Sequence, residues 1–209
     1  MKKNIIITIG RQLGSGGKQI GEYLSTALEI PCYDKELILL ASRESGLCKE
    51  VFEKADEKSR FSLFSGILGH NTEFIGNNYS NNYLCNETLF KIQSDIIRKL
   101  AEKESCIFVG RCADYILKDN PCLVRIFIYA DRQDRISRIM KNLAVTEKEA
   151  KNIIEQTDKK RSGYYNCYSD KVWGMSTSYD LCINSSLLGI EDTAKFILDF
   201  ISFTSHKKD

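Results

Sequence analysis

A glycine-rich segment with one lysine, at residues 10–19 (GRQLGSGGKQ), holds the residue types best suited to bind a ligand. It follows the apolar run 5–9 and precedes a segment with helical periodicity. Because glycine reaches positive φ and has no side chain, backbone N–H groups can converge on an anion there. The following helix adds unsatisfied N–H donors and the positive end of its dipole. The segment therefore predicts a polyphosphate site formed by Arg11, Gly14, Ser15, Gly16, Gly17, Lys18 and Gln19.

The strict pattern for a phosphate loop, G-x-x-x-x-G-K-[ST], is not met in this segment. Counting back from Gly17 and Lys18 places Gln12 where the first glycine belongs. Gln19, which has no hydroxyl, follows the lysine. The alternative is an ordinary glycine-rich turn, but the position between a strand and a helix favours phosphate binding. Ser15 is the candidate for the missing hydroxyl on the metal side.

Basic residues between positions 131 and 161 could supply further positive charge. This stretch holds nine Lys/Arg against six Asp/Glu, and its Arg135 and Arg138 share one helix face. Phosphoryl transfer needs cations around the equatorial oxygens of the transferred group, whereas a solvated helix face is the alternative. The predicted catalytic cations are Lys18, Arg135, Arg138, Lys160 and Arg161.

Short apolar runs alternate with segments of helical periodicity along the chain. Strands are predicted over 4–9, 31–33, 106–109, 123–129 and 181–183. Helices are predicted over 35–58 with a break near Gly46, over 85–103, from Asp131, from a capping box at Thr146 and Glu149, and over 190–201. Residues 59–83, rich in Ser, Asn and Gly, predict a loop. Strands that alternate with helices indicate a parallel α/β sheet.

Ligands of a parallel sheet bind at the carboxyl ends of its strands. We therefore expect Asp34, Arg111, Asp131 and Asn184 beside the glycine loop. Arg111 could form a fork on a phosphate, and the alternative is a surface salt bridge with Asp114. Asp34 could orient a metal-bound water or accept a proton from a hydroxyl; it could also cap a following helix, and these readings are compatible.

Composition limits the class of protein. With 209 residues and 43% hydrophobic content, the chain predicts one domain with a substantial core. A net charge of +2 argues against a nucleic-acid binder, and no apolar run is long enough to cross a membrane, so we expect a cytoplasmic protein. Eight cysteines without a C-x-x-C pair, and only two histidines, disfavour zinc and Cys–His chemistry.

Five segments, in order along nearly the whole chain, resemble the cytidylate kinase-like family: 7–18, 31–38, 108–117, 158–165 and 179–185. The resemblance implies a three-layer P-loop kinase fold with a five-stranded parallel sheet, in a single domain over 1–209. It implies an acceptor-binding region at about 35–103 and a lid at about 131–175. It also implies ATP as donor, Mg²⁺, and a small-molecule acceptor such as CMP or dCMP; it implies nothing about oligomeric state.

Carried onto this chain, the resemblance implies that residues 14–18 cradle the donor phosphates. The residues it implies for the acceptor are Asp34, Gln93, Arg111 and Asp114. The chain departs from authentic cytidylate kinases, in which the lysine directly follows Gly-Ser-Gly and the third strand ends in Asp-Gly-Arg. Two alternatives stay open: a kinase for an alcohol, with Asp34 as general base, and a nucleotide-binding regulator without catalysis.

Overall fold

The central element of the fold is a five-stranded parallel sheet. The structure is a computed structural model that describes residues 4–34, 37–38 and 87–206. The strand order is β2-β3-β1-β4-β5, and every pair is parallel. The strands are β1 Ile6–Arg11, β2 Cys32–Tyr33, β3 Cys106–Val109, β4 Leu123–Tyr129 and β5 Leu181–Asn184.

Helices connect the strands, and the described ones match most of the predicted segments. They are α1 Gly17–Leu28, α2 Glu87–Lys103, α3 Ala113–Ile116, α4 Arg132–Leu143, α5 Glu147–Tyr168 and α6 Ser185–His206, with a 3₁₀ turn at Ser176–Ser178. The predicted bounds of the closing helix, 190–201, are wrong, because α6 begins directly after β5. Gly189, with φ 76° and ψ 177°, breaks the helical geometry inside α6. Hydrophobic periodicity therefore did not predict the first turn of this helix.

The central strands of the sheet are buried and consist mostly of apolar residues. Ile7, Ile9, Ile107 and Ile126 are fully buried, and side chains of α1 and α6 pack against the same cluster. Near-continuous hydrophobic runs are typical of parallel strands covered by helices. The three-layer α/β prediction is therefore confirmed.

Helices α4 and α5 form a second, smaller cluster through Ile136, Ile139, Ala150 and Ile154. The capping box at the start of α5 is confirmed. The Glu149 N–H donates to the Thr146 hydroxyl at 3.4 Å, and the Thr146 N–H donates to the Glu149 carboxylate at 2.8 Å. Leu13 of the glycine loop packs against this cluster, so the helix pair lies directly beside the loop.

The chain divides into two units, Met1–Lys35 with Ile97–Asp209, and Glu36–Ile96. The sheet and the glycine loop belong to the first unit. Apart from 37–38, the helices predicted over 35–58 and the loop predicted over 59–83 lie outside the described residues. The single-domain assignment, with its acceptor region and lid, stays a prediction. Among the described helices, none is both long and apolar enough to span a membrane.

Candidate phosphate site

The glycine loop is shorter than the sequence predicts, because β1 continues through Arg11 and α1 begins at Gly17. Gly14 and Gly16 both adopt φ 79°, a conformation that glycine reaches without strain. Space also requires glycine at these positions. A Cβ on Gly14 would lie 2.8 Å from the Arg135 carbonyl oxygen, and one on Gly16 would lie 2.8 Å from Ile190 Cγ1.

Three arginines of α4 and α5 donate hydrogen bonds to carbonyl oxygens of this segment. The pairs are Arg161 Nη1 to Arg11 O at 3.0 Å, Arg135 Nε to Leu13 O at 2.7 Å, and Arg138 Nη1 to Gly14 O at 3.0 Å. The C=O and the following N–H of a trans peptide point in opposite directions. The bond to the Leu13 carbonyl therefore turns the Gly14 N–H away from Arg135.

Backbone donors remain where the loop meets α1. Within the described residues, the N–H groups of Gly14, Gly16 and Gly17 have no hydrogen-bond acceptor. Gly16 and Gly17 stand at the N-cap and first position of α1, where the helix cannot satisfy its own N–H groups. Oriented N–H groups at a helix N-terminus bind anions, so this end of the loop can hold a phosphate.

Asp158 of α5 fixes the loop at Leu13 and was not predicted from the sequence. Its Oδ1 accepts from the Leu13 N–H at 2.8 Å, and its Oδ2 accepts from Arg135 Nη2. Leu13 is thereby held at both its N–H and its C=O. Burial lowers the pKa of the nearby Arg161 guanidinium, and the charge of Asp158 opposes this change. Arg161 remains a cation at neutral pH.

Two serine hydroxyls donate hydrogen bonds to carbonyl oxygens of the loop segment. Ser185, the first residue of α6, donates from Oγ to the Ser15 carbonyl at 2.7 Å and lies 3.4 Å from Arg138 Nη1. Sequence reasoning missed Ser185, although its position directly after β5 could have indicated it. The Ser15 hydroxyl is buried and donates to the Gln12 carbonyl at 2.9 Å. Its role as a metal ligand stays a prediction, and this conformation does not open the hydroxyl to a metal.

Lys18 is the second residue of α1 and lies 3.0 Å from the Asp34 carboxylate at the end of β2. Its side chain is 65% exposed, whereas that of Asp34 is 16% exposed. The structure therefore brings together a predicted phosphate ligand and a predicted acceptor ligand, in an ion pair with each other. Gln19 and Lys160 are exposed, and their roles stay predictions.

Arg111 follows β3 in a left-handed turn. Gly110, Arg111 and Cys112 have φ values of 82°, 61° and 55°. Each non-glycine residue in this region costs roughly 1–2 kcal/mol, and such strain is concentrated at functional sites. The Arg111 guanidinium lies over the Tyr164 ring, 5.4 Å from its centroid, and burial raises the pKa of Tyr164 to about 12. Stacking on the ring fixes the plane of the guanidinium.

Asp114 is buried and accepts a hydrogen bond from the Tyr165 hydroxyl at 2.7 Å. Burial raises the pKa of Asp114, and the Tyr165 hydrogen bond opposes that rise. Tyr165 stacks on Tyr179, and both rings are buried in the protein interior. Gln93 is buried in the second unit. The acceptor roles of Asp114 and Gln93 stay predictions.

Comparison with solved structures defines the class of fold. The chain is similar to a shikimate kinase from Bacteroides thetaiotaomicron, with TM-score 0.53 and 14% identity over 95% of this chain and 98% of that one. It is also similar to a gluconokinase from Sinorhizobium meliloti 1021, with TM-score 0.52 and 10% identity over 99% and 97% of the two chains. At such identity the likeness is one of fold, and the fold is that of P-loop kinases.

The family is shown by sequence. Residues 6–187 match the model of the cytidylate kinase-like family, and the chain belongs to that family. An uncharacterized protein from Eubacterium ventriosum ATCC 27560 is 31% identical, with TM-score 0.71 over 95% of this chain and 99% of that one. No curated protein matches the chain.

Proposed function

We propose that the chain transfers the γ-phosphoryl group of ATP to a nucleoside monophosphate such as CMP or dCMP. The observation that carries this proposal is the glycine loop, whose carbonyl oxygens are bound by three arginines while the N–H groups of Gly14, Gly16 and Gly17 remain available. Phosphoryl transfer depends mainly on positioning and on neutralising charge, which such a loop supplies. Membership of the cytidylate kinase-like family supports the choice of acceptor.

In this proposal the loop N–H groups and the α1 dipole bind the donor phosphates. Arg111 binds the phosphate of the acceptor as a planar fork, with its orientation fixed by the Tyr164 ring. A phosphate oxygen is already anionic, so no side chain has to remove a proton from the attacking group. Mg²⁺, when bound, would neutralise phosphate charge, and it would be held mainly by phosphates and water, which suits its usual coordination.

The test is ADP release by the purified chain with ATP and Mg²⁺ across CMP, dCMP, UMP, AMP and GMP. We expect turnover with a pyrimidine monophosphate. Arg111→Gln should raise the KM for the acceptor about 10- to 100-fold, since one charge-assisted contact is lost, and leave the KM for ATP nearly unchanged. Arg132→Gln is the matched control, because Arg132 lies on α4 with its side chain 68% exposed. Absence of turnover with every monophosphate contradicts the proposal.

The ion pair of Lys18 with Asp34 favours a second candidate, a nucleotide-binding regulator without catalysis. In that case the chain binds ATP but releases no ADP with any acceptor. Asp34→Asn distinguishes a kinase for an alcohol from both the monophosphate kinase and the regulator. This change abolishes turnover of an alcohol, whose proton needs a base, but weakens mainly the acceptor affinity of a monophosphate kinase.

A further inference from the structure

The side chain of Arg11 passes between two glycines and occupies the space that a side chain at either position would need. A Cβ on Gly17 would lie 2.6 Å from Arg11 Cβ and 2.9 Å from Arg11 Cγ. A Cβ on Gly110 would lie 2.0 Å from Arg11 Nη1 and 3.1 Å from Arg11 Cζ. The stem of Arg11 thus covers Gly17 at the start of α1, and its guanidinium covers Gly110 at the end of β3.

Position 17 is where the geometry of a phosphate loop requires the lysine. In the standard pattern the lysine directly follows the glycine that precedes the helix, so the lysine is the first helical residue. Here Gly16 is the N-cap with φ 79° and Gly17 is the first helical residue. Lys18 is one residue further on, rotated by about 100° around the helix axis. Its ammonium group lies against Asp34 instead.

We propose that the Arg11 guanidinium replaces the loop lysine as the cation that binds the β- and γ-phosphates of the donor, and that Gly17 and Gly110 provide the space for it. The inference rests on the proposed function for the identity of the ligand. Arg11 is the last residue of β1, and its carbonyl oxygen accepts from Arg161 at 3.0 Å, so its backbone is fixed. A guanidinium binds phosphate through two parallel hydrogen bonds, which a lysine cannot form.

The test measures the affinities of the full chain for ATP, ADP and AMP by titration calorimetry. Arg11→Gln should lower the affinities for ATP and ADP about 10- to 100-fold, because one charge-assisted contact is lost. It should lower the affinity for AMP less than about threefold. Arg11→Lys should recover part of the loss. Lys18→Gln should lose less ATP affinity than Arg11→Gln, and Arg132→Gln should match wild type. An equal loss for all three nucleotides indicates a merely structural role of Arg11 and overturns the inference, as does a larger loss for Lys18→Gln.

A charge relocation tests the geometry directly. Gly17→Ala should weaken ATP binding, because the added methyl group displaces the Arg11 stem. Combining Arg11→Gly with Gly17→Lys restores a lysine at the standard position and should recover ATP affinity relative to Arg11→Gly alone. Circular dichroism checks that each variant folds. Failure of the double variant to recover affinity while folded contradicts the inference. Wild type that binds ATP without transferring phosphate refutes only the proposed reaction, whereas absence of nucleotide binding refutes both.

Discussion

Removing one partner of the ion pair between Arg135 and Asp158 should destabilise the protein far more than removing one partner of the exposed pair between Arg132 and Glu155. The side chains of Arg135 and Asp158 are 9% and 16% exposed, and both also bind the backbone of Leu13. Asp158→Ala leaves a buried guanidinium without its counter-charge and the Leu13 N–H without its acceptor. Removing one partner of a buried pair costs about 3–5 kcal/mol. We expect the free energy of unfolding to fall by that amount.

The chain supplies a matched control on the same two helices. Arg132 and Glu155 are also 23 residues apart and form an ion pair at 2.5 Å, but their side chains are 68% and 62% exposed. Exposed pairs contribute about 0–1 kcal/mol, because water screens the charges. Glu155→Ala should therefore cost at most about 1 kcal/mol. Asp158→Asn should fall between the two, since its amide oxygen can still accept from Leu13.

Urea unfolding at pH 7 measures the three variants, and ATP titration shows whether the loop keeps its shape. Replacing both partners, as Arg135→Met with Asp158→Leu, removes the unpaired charge and should recover much of the stability. The double variant should not recover ATP affinity, because the Leu13 backbone loses its hydrogen bonds to both Asp158 and Arg135. Equal costs for Asp158→Ala and Glu155→Ala would refute the reasoning, and so would a double variant as unstable as Asp158→Ala.

Three further predictions concern single groups. Burial raises the pKa of the Cys106 thiol to about 12, so iodoacetamide at pH 8 should modify exposed Cys167 before Cys106, by peptide mass mapping; equal rates contradict this. Burial raises the pKa of Asp114 in the folded protein. The protonated Asp114 therefore contributes to stability below the ordinary pKa of an aspartate, and this contribution is lost as the pH rises through the raised pKa. Asp114→Asn, which can still accept from Tyr165, should flatten that decline in urea unfolding between pH 4 and 8, and parallel curves refute it. Thr146→Ala removes the capping box and should cost about 0.5–2 kcal/mol of unfolding free energy, with an unchanged melting temperature as the contrary result.

Most of the correctly predicted helices and strands follow from patterns among residues close together in the sequence. The bounds of β3 and β4 agree with the predicted runs 106–109 and 123–129, because buried parallel strands are short, mainly apolar runs between polar residues. The capping box predicted the start of α5, since both partners lie within four residues. The start of α6 was missed because the positive φ of Gly189 has no signature in hydrophobic periodicity.

The site was predicted less completely, because its contacts join residues far apart in the chain. Asp158 binds the N–H of Leu13 across 145 positions, and Ser185 binds the carbonyl of Ser15 across 170. Nothing in the local pattern around either residue specifies its partner. Charge counting did select Arg135, but the counting alone could not show that its guanidinium is buried against backbone and carboxylate oxygens.

The three loop arginines differ in what they can still offer a ligand. An arginine has five N–H donors in a fixed plane, and a bond to one carbonyl uses a single donor. Arg135 uses two of its nitrogens on Leu13 and Asp158 and is 7% exposed, so positioning the loop is its main contribution. Arg138 and Arg161 each hold a loop carbonyl through Nη1 and are only partly buried. Each has further N–H donors that bind no loop carbonyl, so the predicted role of these two arginines in neutralising the transferred group is compatible with holding the loop.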